Sequence, residues 1–266
     1  MPAKKYFGQH FLEPQWADKL IAVINPQASD RFLEIGPGPG ALTLRLAPKV
    51  AHLTAIEVDR DMVAALEPQL PPNVRLIEAD FLEADLSPLV ASGPMRVAGN
   101  LPYNVASPII LRLIAAHRAA ASPTAAPFVD ATVMVQREVA ERLDAMPGTK
   151  DYGVLTISVR LRADVRRVLE LPPGAFRPPP KVDSSVVRLT FRPPSVAIRN
   201  EQLFESMVRS VFMQRRKTLA NALAPFAAAH GADARAALAG AGIDARRRAE
   251  TLDMSDLARL ADEFAR

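Results

Sequence analysis

Short apolar runs alternate with longer stretches of helical period along the first two thirds of the chain. Arg31-Phe32-Leu33-Glu34-Ile35 is an apolar run that ends in Gly36-Pro37-Gly38-Pro39-Gly40, and it predicts a strand followed by a glycine turn. Leu42, Leu44 and Leu46 lie near the start of a helix after that turn. His52 to Val58 predicts the next strand, Arg60 to about Gln69 a helix, and Val74 to Ile77 a third strand. Met95 to Gly99 predicts a fourth, buried strand, which Pro102 brings to a stop. A helix from about Ser107 to Ala116, a strand from Ala131 to Gln136 and a helix through Glu141 and Leu143 follow. Val154 to Leu161 predicts a helix, and Val165 to Leu171 and Ser185 to Phe191 predict two last strands, as a hairpin-like antiparallel addition. Strand alternating with helix is the signature of a parallel sheet covered on both faces.

The two ends of the chain differ from this rhythm. Lys4 to Leu12 mixes basic, aromatic and amide residues without a period and reads as an ordered arm. Pro14 with Trp16, Leu20, Val23 and Ile24 then predicts a helix ending near Asn25-Pro26. Pro193-Pro194 marks a boundary, beyond which the pattern is helical throughout. Leu203, Met207, Val208 and Val211 share a face, Gln214 to Leu219 opens a second helix, and Ala232 to Ala239 and Ser255 to Phe264 give two more. The expected organisation is a catalytic domain over residues 1–192 and a helical domain over 193–266. Ala119 to Pro127 reads as a surface loop.

Composition narrows the classes. Of 266 residues 49% are hydrophobic and 23% charged, which suits one large α/β domain with a smaller appendage. The chain has no cysteine, which excludes disulfides and thiol chemistry and fits a cytoplasmic setting. No apolar run reaches the ~18 residues of a membrane span, and the four histidines show no metal-ligand spacing. We therefore expect neither a membrane nor a metal among its partners. Charge is uneven. Residues 31–100 carry 6 Lys/Arg against 9 Asp/Glu, residues 101–192 carry 13 against 8, and residues 193–266 carry 11 against 9. An acidic first half suits a small cofactor, and a basic second half suits a polyanion.

Candidate chemistry collects at the predicted strand ends, the edge where open α/β sheets bind ligands. The glycines of the first turn, Gly36 and Gly38 among them, allow a ligand close to the backbone. Glu57, 21 residues after Gly36, is placed to bond ribose hydroxyls. Asp80 ends the third strand and can accept a hydrogen bond from an adenine amino group, with Phe81 beside the ring. Gly36-x-Gly38-x-x-Ala41 fits a dinucleotide fingerprint, and Glu34-x-Gly36-x-Gly38-x-Gly40 fits the first motif of methyltransferases that use S-adenosylmethionine. Asn100-Leu101-Pro102-Tyr103 has no role in holding a nicotinamide and favours the second reading. Asn100 offers an acceptor for an exocyclic amine, and Tyr103 a face on which a base can stack. Phe176, ahead of the rigid Pro178-Pro179-Pro180, could sit over the site opposite Tyr103. Arg215, Arg216 and Lys217, with Arg246, Arg247 and Arg248, are candidate RNA-backbone contacts in the helical region.

These motifs together resemble the KsgA/RsmA family, the ribosomal RNA adenine-N6,N6-dimethyltransferases. The likeness runs through Gly8 to Leu12, Glu34 to Gly40, Glu57-Val58-Asp59, Asp80, Gly99 to Tyr103, Phe176 to Ser184 and Phe212-x-Gln214 to Leu219, nearly the whole chain in order. The resemblance implies a Rossmann-like methyltransferase sheet with a small all-helical C-terminal domain. It implies S-adenosylmethionine held by His10, Leu12, Gly36, Glu57, Asp80 and Asn100, with Leu101 beside the target base. Many members carry Asn where His10 stands. The implied reaction is dimethylation of two adjacent adenosines in a hairpin loop near the 3′ end of 16S rRNA. The implied partner is the small ribosomal subunit or its precursor, met by a monomer. Three rivals share parts of the pattern: a 23S rRNA dimethyltransferase, which is not expected to carry Gln214 to Leu219, a DNA adenine methyltransferase, and a non-catalytic assembly factor.

Overall fold

The computed structural model describes residues 10–91, 93–120 and 127–265. The expected arm at 4–9 and most of the expected loop at 119–127 lie outside the described residues. The described chain forms two compact units. One takes residues up to Ala140 together with Asp164–Phe191; the other takes Glu141–Ala163 together with the chain from Arg192 onward.

The first unit is built on a seven-stranded sheet in the order β4-β3-β2-β5-β6-β9-β7. Its strands are β2 (Arg31–Ile35), β3 (His52–Glu57), β4 (Val74–Glu78), β5 (Met95–Asn100), β6 (Phe128–Gln136), β7 (Ala163–Leu171) and β9 (Ser184–Phe191). β2 pairs in parallel with both β3 and β5, β3 with β4, and β5 with β6; β9 runs antiparallel to β6. The chain therefore builds outward from β2 in one direction and then returns to β2's other side with β5. The ends of β2 and β5 form the switch point where a crevice opens. Val97, Ala98, Leu33 and Ile35 are buried, as strands covered on both faces require. Gly99 is needed where the two strands meet, because an added Cβ would stand 2.6 Å from the Ile35 carbonyl oxygen.

The opposite end of this strand pair is held by Arg96. Its guanidinium bonds Asp130 through Nε and Nη2 at 2.9 Å, and Asp30 through Nη1 at 2.8 Å. It also donates to the carbonyls of Ile24 and Asn25, where the helix α1 (Pro14–Ile24) ends. Those carbonyls lack helical partners, and a cation is the favourable group beside them.

A two-stranded ribbon lies apart from the sheet. β1 (Phe11–Leu12) pairs antiparallel with β8 (Phe176–Arg177), with Leu12 opposite Phe176. Phe176 is 0% exposed and belongs to the apolar cluster that contains Leu12, Leu20, Ala98, Met134 and Val186. This corrects the expectation that Phe176 stands over the site. Strand pairing turns its ring into the core.

The second unit packs α7 (Val154–Arg160) with the C-terminal helices α8 (Glu201–Phe212), α9 (Leu219–Ala229), α10 (Ala234–Gly240) and α11 (Met254–Asp262). Tyr152, Ile157 and Leu161 share one apolar cluster with Phe204, Val208, Phe212 and Leu260. That burial places 141–163 with the helical unit, which a boundary read at Pro193-Pro194 alone does not reveal. Gln214 to Lys217 form a turn, and α9 starts at Leu219 with Thr218 in an extended N-cap conformation. Its first free N–H groups are taken from outside the helix: Leu219 donates to the Arg247 carbonyl and Ala220 to the Ala245 carbonyl at 3.1 Å.

Because Phe176 fills core volume, Phe176→Ala should destabilise the folded chain by about 3–5 kcal/mol. Urea denaturation measures this; a loss below about 1 kcal/mol would restore Phe176 as a candidate for the site.

Candidate active site

A cavity of about 360 Å³ lies at the carboxyl ends of β2, β3, β4 and β5, a size suited to a small-molecule ligand. It brings together His10, Leu12, Gly36, Gly38, Glu57, Asp80, Asn100, Leu101 and Tyr103, residues drawn from five separate segments. Phe176 does not line it, and the six basic candidates do not.

The floor is the glycine turn. Gly36 and Gly38 have φ of +68° and +53°, a conformation that side chains disfavour. Glu57 fixes the turn: its Oε2 accepts from the Gly38 N–H and its Oε1 from the Asp59 N–H, both at 2.9 Å. Each oxygen keeps a second lone pair for a ligand hydroxyl. Asp80 is exposed, and its Oδ1 accepts from the Leu82 N–H at 2.8 Å. Phe81 is buried beside it, and Val58, next after Glu57, also lines the cavity.

The other wall is Asn100 to Tyr103. Asn100 Nδ2 donates to the His10 carbonyl at 2.8 Å. That bond fixes the amide orientation and leaves the oxygen Oδ1 as the group able to accept from a ligand. Leu101 is buried, and its N–H donates to the Met134 carbonyl at 3.1 Å, which locks the chain at the strand end. Tyr103 is held at two places. Its hydroxyl lies 2.5 Å from Ser184 Oγ, and its ring stacks on the His10 ring with centroids 5.4 Å apart. Desolvation raises the Tyr103 pKa, so the hydroxyl stays protonated at neutral pH. His10 is tied down in turn, its Nδ1–H donating to the Pro178 carbonyl at 2.8 Å. His10 thus orders Asn100 through its backbone and Tyr103 through its ring.

Sequence reasoning missed Ser184 and the part played by Glu34. Ser184 lies 81 residues after Tyr103, and nothing local connects the two. Glu34 sits one residue before the end of β2, is 1% exposed and lines the cavity. Burial pushes its carboxyl up to about 7; Thr43 opposes this in part, and the nearby Glu57 charge adds to it. Its Oε2 has no hydrogen-bond partner among the described residues. An acceptor stranded against a cavity suits a ligand that carries positive charge.

The six basic candidates lie in the second unit. The bonds from Leu219 and Ala220 to the segment at 245–247 bring the two clusters side by side. Arg215 is engaged with Glu250 at 3.1 Å, and Arg247 with Asp256 at 2.9 Å. Arg246 pairs with Asp244 at 3.1 Å. Arg216, Lys217 and Arg248 are exposed, and Met213 beside them is 85% exposed. Three of the six thus face solvent without an ion-pair partner among the described residues.

A parallel sheet with a strand-end crevice, a glycine floor and an Asn-Leu-Pro-Tyr wall defines a nucleotide-type methyltransferase site. The profile of the family described as "Ribosomal RNA adenine dimethylase" matches residues 2–266, and the chain belongs to that family. It is 42% identical over 265 residues to a ribosomal RNA small subunit methyltransferase A from Xanthomonas axonopodis pv. citri, covering 98% of this chain and 96% of that one. A protein of the same name from Syntrophotalea carbinolica is 42% identical over 261 residues, covering 97% and 95%. Among solved structures, a dimethyladenosine transferase from Plasmodium falciparum superposes with a TM-score of 0.74 at 27% identity, covering 96% of this chain and 98% of that one. The 23S rRNA methyltransferase ErmE gives 0.66 at 26% identity, covering 96% and 100%. The enzyme is a methyltransferase that uses S-adenosylmethionine. Among the described residues no helix is long and apolar enough to cross a membrane, and no cluster of metal-ligating side chains occurs.

Glu34 yields a prediction with a definite sign. A carboxyl raised from 4.5 to about 7 by folding stabilises the fold below its unfolded pKa, and that contribution is lost as pH rises through 7. The loss at pH 8 is on the order of 3 kcal/mol. Glu34→Gln should therefore melt several degrees above the wild type at pH 8 without ligand, and the advantage should vanish at pH 5. Thermal melts across this range test it, and a gain that is independent of pH would refute the assignment.

Proposed function

We propose that this chain transfers methyl groups from S-adenosylmethionine to N6 of two adjacent adenosines in the hairpin loop near the 3′ end of 16S rRNA, dimethylating each. The observation that carries this reading is Asn100. Its amide nitrogen is committed to the His10 carbonyl, so its oxygen points the chemistry toward an amino group rather than a carbonyl. The higher identity to small-subunit enzymes favours 16S rRNA over the 23S substrate named for ErmE. We propose that it acts as a monomer on the small ribosomal subunit or its precursor in the cytoplasm.

The residues have distinct tasks. Gly36 and Gly38 let the backbone approach the cofactor, Glu57 takes ribose hydroxyls, and Asp80 takes the adenine amino group. His10 lines the other wall beside Asn100 and Tyr103, and Leu12 also lines the cavity. When bound, S-adenosylmethionine supplies an electrophilic methyl group. Asn100 Oδ1 and the Leu101 carbonyl accept the two N6 hydrogens of the target adenine. Those bonds draw the nitrogen lone pair out of conjugation with the ring and aim it. Tyr103, fixed by Ser184 and His10, receives the face of the flipped base. No protein base is required, because the alkylated nitrogen is acidic enough to lose its proton to water.

Asn100→Ala should lower the rate of methylation of small-subunit particles by about a hundredfold or more, the typical loss for one positioned polar group. Circular dichroism should be unchanged. Primer extension on the rRNA reads the outcome, and a wild-type rate would remove Asn100 from the mechanism.

We also propose that the basic surface of the second unit holds rRNA backbone through Arg216, Lys217 and Arg248, with Arg246 at its edge. Arg215 and Arg247 support it by their ion pairs with Glu250 and Asp256. Phosphate contacts position RNA with little sequence information. Replacing Arg216, Lys217 and Arg248 together by Glu should weaken particle binding and flatten its salt dependence by about one counterion per lost contact. Filter binding over a salt series checks this; unchanged slopes would leave the surface without an RNA role.

A further inference from the structure

The stacked rings of Tyr103 and His10 are tied to one short segment, each at a different end of it. The Pro178 carbonyl accepts from His10 Nδ1, and Ser184 Oγ lies 2.5 Å from the Tyr103 hydroxyl. Residues 179–183 therefore bridge from one ring to the other. Pro180 is buried, and Ser184 starts β9 in register with Gln136 of β6, so both flanks of the bridge are fixed. Lys181 between them is exposed and has no ion-pair partner among the described residues. Charge around it is selective. The Asp183 carboxylate accepts from Arg137 Nη1 at 2.9 Å, and the Asp183 carbonyl accepts the Arg137 N–H at 3.0 Å. The carboxylate of the bridge is thus already answered by a cation. Within the cavity the balance is reversed. Glu57 and Asp80 line it, and among the described residues no lysine or arginine does. A polyanion is turned away from the cofactor's end and accepted at the rim beside Tyr103.

A base that enters the cavity leaves its backbone outside. Flipping turns the nucleotide about that backbone, so the phosphates on either side of the target stay at the mouth while the base goes in. We propose that Lys181 anchors the backbone phosphate adjoining the flipped adenosine, and so holds the nucleotide while its base lies against Tyr103. The inference deepens the function proposed above and rests on it. The task of Lys181 differs from that of Arg216, Lys217 and Arg248: they grip the particle, whereas a contact at the flipped nucleotide acts on the reacting base. A lysine suits the place. Its ammonium is a compact charge on a flexible stem, which a phosphate can meet from several directions. Two adjacent adenosines must be presented in turn, and a rigid fork would match only one of them.

Single-turnover methylation of unmethylated small-subunit particles by the full chain, at saturating S-adenosylmethionine and over a salt series, tests this. Lys181→Gln should lower the rate at subsaturating particles by about tenfold, the loss of one charge-assisted hydrogen bond. It should also flatten the log–log dependence on salt by about 0.7, the value of one single-stranded phosphate. Lys181→Arg should keep most of the wild-type rate and slope. Calorimetric affinity for S-adenosylmethionine should be unchanged in both variants. Particles whose rRNA carries an uncharged methylphosphonate beside the target adenosine, on its 5′ or its 3′ side, form the second arm. At one of these positions the wild type should lose about the same tenfold, and Lys181→Gln should lose nothing further. Wild-type rate and slope in Lys181→Gln, a full further loss in that variant at both methylphosphonate positions, or a loss matched by weaker cofactor binding each overturn the inference while leaving the proposed function intact. A wild type that leaves every adenosine of the particle unmethylated overturns that function, and this inference with it.

Discussion

The site depends on β2 and β5 lying side by side in parallel. That contact sets Gly36 of one strand end beside Asn100 of the other, and so puts the cofactor's floor next to the amide that would receive the base. Arg96 holds the far end of the same pair, bonding Asp30 just before β2, Asp130 on β6 and the last carbonyls of α1. A partly buried cation with several partners is costly to disturb, because removing one leaves the others uncompensated. The register of β5 against β2 is thereby fixed at one end by charge and at the other by the absence of a side chain on Gly99.

Much of the sheet and most of the cavity were legible in the sequence because their signals are local. A strand running into glycines, an acid at the next strand's end, and an Asn-Leu-Pro-Tyr turn each declare themselves within a few residues. The cavity gathers all of those segments. What stayed hidden depends on partners distant along the chain. Phe176 is taken into the core because Leu12 pairs with it across 164 residues, and aromatic character alone cannot separate a base-stacking ring from a core ring. Ser184 is an ordinary strand residue until the fold brings it to Tyr103. Gln214 to Leu219 is rich in helix formers, yet the helix waits for Thr218, whose position lets the following N–H groups find carbonyls at 245 and 247.

Charge was legible only in part. Clusters at 215–217 and 246–248 suggested six contacts, with the second cluster the weaker candidate. The structure divides them: Arg215 and Arg247 brace the helical unit, while Arg216, Lys217 and Arg248 are left facing solvent. A run of like charges in a sequence does not say which members the fold has already neutralised.

The interleaving of the two units bears on how such a protein can be taken apart. The chain passes from one unit to the other near residues 140, 163 and 191 before it ends. The helical unit is thus an insertion joined to a tail, not a module strung on the end. Cutting the gene at Pro193 would strip the apolar cover from Tyr152, Ile157 and Leu161 and leave a greasy loop hanging from a sound sheet. Exchange of helical regions between relatives by recombination would have to carry residues 141–163 along with the tail. The two halves of this enzyme are therefore bound to be inherited together.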